Sequence, residues 1–476
     1  MRVHPMRLLR SGLVFIVLLF ALLNMHVLLN LQAGPPSGNH FRRNGMQHNH
    51  QLSEDGHVQF QIPQDGPGDQ GGNWLGNDQH QGEPGLVIPP VKNMSHLENR
   101  TFPVVDITNL TMIRAAIKKI NDEQHIFNLR KFGLKLNSES TVIVIQAHSR
   151  AEYLKILLDS LRNVRGIERA LVIVSHDVYS ETLNAIVQSV DFCPIMQIFF
   201  PYSIQAYPNQ FPGDDPNDCP RDIKRDEAVK RNCNNALHPD KYGHYREAKY
   251  SQTKHHWWWK LSRVFDGLTI MKNYHGLVLL LEEDYYLAED SITVLQMLNH
   301  LRNKDCKECQ IITLGNYDKT QNYPVNSGKA ETAHWISSKH NLGMGIDHRL
   351  WNLMRACAKE YCLFDDYNWD WTVQHLSTKC LPQKLKVMKM KATRVFHMGE
   401  CGLHQKKKDC QPQEKKKQVE NLLGEKKQHL FPNVLVKTGF SPLKLRDPKP
   451  NGGWGDLRDR ELCLSFTQEN VSVPVR

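Results

Sequence analysis

Residues 276–286 read GLVLLLEEDYY, and this stretch decides the fold class of the chain. The apolar run at 277–281 is short and follows a glycine, which predicts a buried strand. It stops at three acids, Glu-Glu-Asp at 282–284. The carboxyl ends of strands in an α/β sheet face the ligand, and a carboxylate there can hold a divalent cation that binds phosphate. The acids would equally suit the N-terminus of a helix near Ala288, so both interpretations stay open here.

Strands and helices alternate on the N-terminal side of this stretch. Strands are predicted at residues 142–146, 171–174 and 195–200, and helices with apolar residues at helical spacing at 152–161 and 182–190. This alternation indicates an α/β fold with a mostly parallel sheet and right-handed crossovers. No G-x-G-x-x-G motif follows the first strand, which argues against a dinucleotide site of the usual kind.

Polar residues follow the first two predicted strands. The first strand runs into Gln146, Ala147, His148, Ser149 and Arg150, and the second ends in Ser175, His176 and Asp177. An acid at the second strand end suits ribose hydroxyls, and the arginine and glutamine at the first suit a base or phosphate. For each residue alone, ordinary loop polarity is the favoured explanation. Their coincidence at one edge of the sheet favours a ligand site.

The run KHHWWWK at residues 254–260 predicts a helix with an unusual face. Three adjacent tryptophans cannot all face one side of a helix, so at least one faces another layer or a ligand. Indoles pack on sugar faces, but core packing is the favoured interpretation. Lys254, His255 and His256, at the predicted helix start, are candidates for phosphate contacts.

A second acidic and aromatic cluster, DDYNWDW, occupies residues 365–371. A carboxylate between aromatic walls suits a sugar hydroxyl that must lose a proton, although acids also belong in the first turn of a helix. His397 ends a later apolar alternation and can bind a divalent ion through a neutral imidazole. A lone histidine is more often not a ligand, so this residue needs further support.

The N-terminal region predicts membrane attachment. An apolar stretch at residues 11–31 follows Arg2, Arg7 and Arg10 and is long enough to cross a bilayer. The charge asymmetry predicts a cytoplasmic tail at residues 1–10, a transmembrane signal-anchor at 11–31 and a lumenal remainder, with a cleaved signal peptide as the alternative. The formal net charge of the chain is +10, but no predicted helix has a basic face. Nucleic acid is therefore not an expected partner.

A flexible lumenal stem is expected at residues 32–128 because Gly, Pro, Gln, Asn and His dominate much of it. A catalytic domain is expected at 129–476. Three Asn-x-Ser/Thr sequences, at Asn93, Asn99 and Asn109, are candidate glycan acceptors in the secretory pathway, and a fourth lies at Asn470.

All 11 cysteines lie beyond residue 190. An odd number in a lumenal protein indicates five disulfides and one free thiol. The CxxC sequence at Cys306 and Cys309 also permits a zinc site with Cys357 and Cys362. The expected compartment favours disulfides.

Several long motifs together resemble the Golgi N-acetylglucosaminyltransferase II family, from about residue 141 to residue 463. They are FCP from Phe192, FPGDDPNDCPRD from Phe211, GHYREAKYSQTKHHWWWK from Gly243, LEEDYYLA from Leu281, DDYNWDW from Asp365 and KPNGGWGDLRD from Lys449. Runs of this length do not recur by chance.

The resemblance implies a GT-A-type glycosyltransferase fold with a Rossmann-like mixed sheet. It implies an inverting transferase in the Golgi membrane that uses UDP-GlcNAc and Mn²⁺. The acceptor would be an N-glycan already carrying GlcNAc on its α1,3 arm, extended in β1,2 linkage on the α1,6-linked mannose. A homodimer is a further expectation. The alternatives are a sister β-1,2-GlcNAc-transferase with a different mannose acceptor and a non-catalytic lumenal lectin that uses the tryptophans.

The resemblance also assigns residues. Asp284 and His397 match the metal ligands, with Glu282 and Glu283 as supporting acids, and Asp370 matches the base, with Trp369 beside the acceptor. Residues 146–150 and Asp177 match uridine and ribose contacts, and Gln252, Thr253, Lys254, His255 and His256 match a further nucleotide-sugar segment. The implied disulfides are Cys219–Cys233, Cys306–Cys309, Cys357–Cys380, Cys362–Cys463 and Cys401–Cys410, which leaves Cys193 free. Gln321 departs from the family pattern, which has an arginine near the substrate there.

Overall fold

The computed structural model of the chain describes residues 105–399 and 410–468. The strands are β1 (Ile126–Phe127), β2 (Thr141–Ala147), β3 (Leu171–His176), β4 (Ile195–Phe199), β5 (Leu277–Glu282), β6 (Tyr285–Leu287), β7 (Ile311–Thr313), β8 (Lys329–His334), β9 (Met344–Ile346), β10 (Lys386–Met390), β11 (Val395–His397) and β12 (Val436–Phe440). The α-helices are α1 (Leu110–Glu123), α2 (Leu129–Phe132), α3 (Ala151–Arg162), α4 (Glu181–Gln188), α5 (Arg225–Arg231), α6 (Ala248–Ser262), α7 (Ser291–Asp305), α8 (Tyr323–Asn326), α9 (Ser337–His340), α10 (His348–Ala356), α11 (Ala358–Leu363), α12 (Trp369–Lys379), α13 (Pro412–Glu425) and α14 (Leu457–Ser465).

Ten strands form one sheet in the order β1-β4-β3-β2-β5-β9-β7-β10-β8-β12. Strands β4, β3, β2 and β5 are parallel, as their apolar runs predicted. Gln146 at the end of β2 is in register with Ser175 of β3 and Glu282 of β5. The polar residues that follow these three strands therefore begin at the same level, at one edge of the sheet.

The other half of the sheet is mixed, which corrects the prediction of a mostly parallel sheet. Strand β9 runs antiparallel to both β5 and β7, and β10 runs antiparallel to β8. A mixed α/β sheet agrees with the expectation from the family resemblance.

Apolar side chains cover both faces of the sheet. One core contains Trp257, Trp258 and Trp259 of α6, all of them buried. The other core contains the apolar faces of α3, α4 and α7. The favoured prediction that the tryptophan run belongs to the core is confirmed.

The folded region begins earlier than the predicted boundary at residue 129. Ile113, Ile117 and Ile120 of α1 pack against Phe199 of β4 in a small separate core. The amide of Asn121 pairs with the backbone N and O of Phe199 at 2.9 and 2.7 Å. The stretch 105–128 is therefore part of the domain and not of the stem. Composition did not reveal this because the helix depends on contacts with β4.

Several predicted features lie outside the described residues, namely the tail, the signal-anchor, Asn93, Asn99 and Cys401. Over residues 105–399 and 410–468, no helix has the length and apolar character needed to span a membrane. Asn109 is exposed at the start of α1, where its side-chain oxygen accepts hydrogen bonds from Thr111 N and Met112 N.

Four of the five implied disulfides are present: Cys219–Cys233, Cys306–Cys309, Cys357–Cys380 and Cys362–Cys463. Cys193 is free and buried. Because Cys306 and Cys309 bond to each other, and Cys357 and Cys362 bond elsewhere, the zinc alternative is wrong. The Cys401–Cys410 pair stays a prediction.

Candidate active site

A cleft of about 850 Å³ opens at the carboxyl ends of β2, β3 and β5. Its walls come from the turns after these strands, from α6, from the start of α12 and from the residues after β11. Predicted site residues that line it are Gln146, His148, Ser149, Arg150, Asp177, Gln252, Thr253, Asp284, Trp369, Asp370 and His397. The edge of the sheet therefore brings together residues that lie far apart in the chain.

The acids after β5 lie in a turn and not at a helix start. Glu282 ends β5, Glu283 and Asp284 form the turn, and β6 follows directly. Helix α7 begins only at Ser291, which excludes the alternative interpretation of the acids. Strand β11 pairs with β6, with His397 opposite Tyr285. This pairing places the side chain of His397 beside that of Asp284.

The carboxylates of Glu283 and Asp284 differ in their partners. Glu283 Oε1 accepts from Arg150 Nε at 2.6 Å, and Oε2 accepts from His148 N at 2.7 Å. Asp284 Oδ2 accepts from Arg150 Nη1 at 2.9 Å and lies 3.5 Å from His397 Nε2. Asp284 Oδ1 is buried and has no hydrogen-bond partner. Glu283 is therefore satisfied within the protein, whereas Asp284 keeps one oxygen for a ligand.

This donor set fits a divalent cation bound by two side chains. Buried polar atoms without a partner are rare and call for an explanation, and an imidazole beside a carboxylate oxygen supplies one. No group of three or more His, Cys, Asp or Glu side chains arranged for a metal occurs in the described part of the chain. A cation held by Asp284 and His397 alone would fill its remaining positions with substrate oxygens and water.

Asp177 forms the charged centre of the wall after β3. It accepts from His148 Nδ1 at 2.6 Å and from Gln252 Nε2 at 3.0 Å. Burial would raise the pKa of Asp177, but the hydrogen bond from His148 and the nearby imidazole of His256 outweigh it and hold the pKa below its ordinary value. The hydrogen bond to Asp177 raises the pKa of His148. The wall therefore carries an ionised carboxylate with a fixed orientation.

Gln146 is oriented from behind by a buried lysine. Lys260 Nζ donates to Gln146 Oε1 at 2.6 Å, so the amide nitrogen of Gln146 is the group left to donate elsewhere. Burial, followed by the charge of Asp284, raises the pKa of Glu282 to about 7.

Four of the residues predicted to contact the substrate have side chains that lie behind the cleft wall, and their binding role stays a prediction. Ala147 and Lys254 are fully buried, and Lys254 Nζ donates to the carbonyls of Phe364 and Asp366. His255 Nε2 bonds the Asp459 carbonyl at 2.9 Å, and His256 Nε2 bonds Ser175 Oγ at 2.8 Å. None of the four lines the cleft. In α6, only Lys249, Gln252 and Thr253 reach it.

Asp370 lies on the opposite wall, in the first turn of α12. Its Oδ1 accepts from Trp371 N at 2.8 Å and its Oδ2 from Asn341 Nδ2 at 3.4 Å. Burial raises the pKa of Asp370 to about 6. A carboxylate with this pKa is a suitable general base near neutral pH. Both interpretations of the DDYNWDW cluster hold, since the acid begins a helix and faces the cleft.

Trp369 connects this wall to the core. Its ring stacks on Trp257 with centroids 4.4 Å apart and planes inclined by 8°. The ring is mostly buried but lines the cleft beside Asp370. The tryptophan run of α6 therefore supports, through Trp257, the ring of Trp369 that lines the cleft.

Some lining residues were not predicted: Val178, Ile204, Gln205, Lys249, Asn341, Asn368 and Gly399. Asn341 sits in a connection between α9 and β9 that carries no motif, so nothing local marks it. The sequence does mark Gly399, because a glycine two residues after the candidate ligand His397 permits a close approach of the backbone. A Cβ at this position would collide with Oδ2 of Asp284.

The chain matches known proteins along most of its length. The family model for N-acetylglucosaminyltransferase II matches residues 114–463. A Sus scrofa protein named alpha-1,6-mannosyl-glycoprotein 2-beta-N-acetylglucosaminyltransferase is 45% identical over 365 residues, covering 76% of this chain and 81% of its own. Proteins of the same name are 44% identical in Homo sapiens (76% and 81% covered) and 36% identical in Arabidopsis thaliana (70% and 75% covered). The chain belongs to the N-acetylglucosaminyltransferase II family.

Proposed function

We propose that the protein is an inverting glycosyltransferase that moves GlcNAc from UDP-GlcNAc to the α1,6-linked mannose of an N-glycan, in β1,2 linkage. The observation that carries this proposal is the content of one cleft. Two candidate metal ligands, Asp284 and His397, lie on one side, and a carboxylate with a raised pKa, Asp370, lies on the other. A lectin transfers no proton and therefore needs no general base. The names of the relatives support the acceptor and the linkage.

The chemical step uses the two sides of the cleft. Asp370 takes the proton from the mannose 2-hydroxyl as its oxygen attacks C1 of the donor sugar. The bond from C1 to the diphosphate breaks on the opposite face, so an α-linked donor gives a β-linked product. Mn²⁺ bound at Asp284 and His397 would supply positive charge to the departing diphosphate. Asp370 contributes the typical general-base factor of about 10²–10⁴ in rate.

The wall after β2 and β3 provides the nucleotide contacts. The ionised carboxylate of Asp177 accepts hydrogen bonds from the nucleoside, and Gln146 donates its amide because Lys260 holds its oxygen. The fixed orientation of both groups reduces the cost of ordering the donor. The fold is proposed to be of the GT-A type, with this sheet edge as its donor site.

The proposed location is the Golgi membrane, with the catalytic domain in the lumen and a single anchor at residues 11–31. Four disulfides in the described residues are consistent with an oxidising compartment. The homodimer stays a prediction.

One incubation tests the function. The purified protein is supplied with UDP-GlcNAc, Mn²⁺ and an N-glycan that carries GlcNAc only on its α1,3 arm, and the new sugar is located by NMR. We expect β1,2-linked GlcNAc on the α1,6 mannose. Parallel incubations supply an N-glycan with an unsubstituted α1,3 mannose and an O-mannosyl peptide. Transfer to either of these, but not to the first acceptor, would favour a sister transferase, and the absence of both transfer and UDP-GlcNAc hydrolysis would favour a lectin.

A further inference from the structure

Two hydrogen bonds from the protein hold the carboxylate of Asp370, the proposed base. Oδ1 accepts from the backbone N of Trp371 at 2.8 Å, and Oδ2 accepts from Asn341 Nδ2 at 3.4 Å. Among the described residues, Asn341 is the one side chain that donates to this carboxylate. A carboxylate has about four acceptor sites, so each oxygen can still accept a hydrogen bond from a substrate hydroxyl. The orientation of the base therefore depends in part on the amide of Asn341.

The amide of Asn341 is itself fixed by a tyrosine. Tyr317 Oη donates to Asn341 Oδ1 at 2.9 Å. An ionised carboxylate can only accept hydrogen bonds, so the NH2 group of the amide faces Asp370 and the amide oxygen faces Tyr317. Burial, followed by the charges of Glu282 and Asp370, raises the pKa of Tyr317, so its hydroxyl stays protonated and donates. Tyr317, Asn341 and Asp370 therefore form a chain of hydrogen bonds in which each donor and acceptor is determined.

The backbone places Tyr317 beside Asn341. Asn341 follows α9, and the carbonyl of the next residue, Leu342, accepts from the backbone N of Gly315 at 3.1 Å. Tyr317 comes two residues after Gly315 in the loop that follows β7. The segment before β9 and the loop after β7 are therefore joined through their backbones at the point where the two side chains meet.

Gln321 braces the loop that carries Tyr317. Its Oε1 accepts from Thr393 N at 3.0 Å, and its Nε2 donates to Asn316 Oδ1 at 2.7 Å and to the Asp318 carbonyl at 3.0 Å. Gln321 is outside the lining of the cleft. The glutamine that departs from the family pattern therefore holds the residues on both sides of Tyr317 in place.

We infer that Asn341 and Tyr317 are positioning residues for the proposed base. Tyr317 fixes the amide of Asn341, and this amide holds the carboxylate of Asp370 in the orientation in which it accepts the proton of the acceptor hydroxyl. The inference rests on the proposed function, because the base belongs to that transferase. It adds two residues that belong to none of the motifs that carry the family resemblance.

The surroundings of Asp370 predict the effect of losing this amide. Burial raises the pKa of Asp370, and the hydrogen bonds from Trp371 and Asn341 lower it. The titratable side chains that interact electrostatically with Asp370 are those of Glu282, Tyr285, Tyr317, Tyr361 and Asp366. Without the amide, the carboxylate should keep its proton to higher pH, because one donor to its charged form is missing. Because Glu282 also titrates close by, Asp370→Asn is the reference that assigns the acidic limb of the pH profile to Asp370.

The test compares Asn341→Leu and Tyr317→Phe with the full-length wild-type protein, using UDP-GlcNAc, Mn²⁺ and the N-glycan that carries GlcNAc only on its α1,3 arm. In Asn341→Leu we expect the acidic limb of kcat/KM to move to higher pH by about 0.5–1 pH unit, since the carboxylate loses a donor. We expect kcat on the plateau to fall about tenfold, since the carboxylate also loses its fixed orientation. The KM for each substrate should change by less than about threefold.

Tyr317→Phe removes the hydroxyl and keeps the ring. The limb should move in the same direction as in Asn341→Leu but by less, because the amide is still present and can turn. This variant decides the question if Asn341→Leu does not fold. Asn322→Leu is the matched control, because the Asn322 side chain lies in the same loop, outside the cleft lining, and accepts from Val325 N at 3.2 Å. Its acidic limb should coincide with that of the wild type.

The outcomes separate the inference from the function on which it rests. If the limb disappears in Asp370→Asn but stays at the wild-type pH in both Asn341→Leu and Tyr317→Phe, the positioning role is wrong and the proposed function stands. A higher KM for the glycan with an unmoved limb would also overturn the positioning role, since Asn341 would then act on the acceptor directly. If the wild type transfers no sugar, or if the limb persists in Asp370→Asn, the proposed base fails and the inference fails with it.

Discussion

His397 Nε2 lies 3.5 Å from Oδ2 of Asp284, and the backbone fixes this relationship. Met398 N donates to the Asp284 carbonyl at 2.7 Å, next to the β6–β11 pairing. The two side chains are therefore brought together by strand register and not by their own attraction. A substitution of either residue should leave the local backbone in place. A loss of function would then come from the missing side-chain ligand and not from a change in the backbone.

Asp370→Asn removes the proposed base and keeps the size of the side chain. We expect turnover to fall by about 10²–10⁴-fold, because an amide cannot accept the proton of the mannose hydroxyl. UDP binding in the presence of Mn²⁺ should stay close to that of the wild type, since Asp370 lies across the cleft from Asp284. Single-turnover kinetics and calorimetry with UDP measure the two effects, and near-normal turnover would refute the assignment.

The pH dependence should follow the pKa of Asp370, which burial raises to about 6. The base acts only when ionised, so kcat/KM should fall as the pH drops through about 6 and level off above it. In Asp370→Asn the residual activity should lack this acidic limb. A wild-type profile that stays flat down to about pH 4.5 would mean that another group accepts the proton.

Gly399→Ala probes the space beside Asp284 without changing a ligand. The new Cβ would collide with Oδ2 of Asp284, so the carboxylate must turn away from His397. We expect Mn²⁺ affinity to fall by about 10–100-fold, as for other changes that reorient a ligand. Gly424→Ala is the control, because a Cβ there meets nothing within 4 Å. Equal Mn²⁺ titrations for both variants would place the metal elsewhere.

The disulfides should differ in their contribution to stability. Cys362–Cys463 closes a separation of 101 residues, and Cys306–Cys309 one of 3. Chain entropy alone predicts a loss of about 4–5 kcal/mol on removing the first and about 2 kcal/mol on removing the second. Paired Cys→Ala variants and urea unfolding give the comparison. A larger loss of stability on removing Cys306–Cys309 than on removing Cys362–Cys463 would contradict this expectation.

The sequence predicted the parts of the site that depend on local pattern. Strands β2, β3 and β5 are continuous apolar runs, and the acids that end β5 are adjacent in the chain, so their place on the sheet edge follows from the pattern. The pairing of Asp284 with His397 rested on family resemblance, because no spacing rule joins a β5 turn to β11.

The features that the sequence did not reveal have one physical cause. Lys254, His255 and His256 looked like ligand contacts because polar residues at a helix start usually face solvent or substrate. Their actual partners, the carbonyls of Phe364, Asp366 and Asp459 and the hydroxyl of Ser175, belong to distant segments that no local pattern connects to α6. Helix α1 escaped prediction for the same reason, since β4 stabilises it.

The contact between His255 and Asp459 spans 204 positions of the chain, and Asp459 also bonds Arg246 and Ser251. A nascent polypeptide therefore carries every candidate reactive group well before the helix that braces them has left the ribosome. Domains form as units once their contacts are available, so catalytic competence should arise only after translation passes α14. A premature stop codon just upstream of α14 should consequently be as damaging as one within the cleft residues themselves.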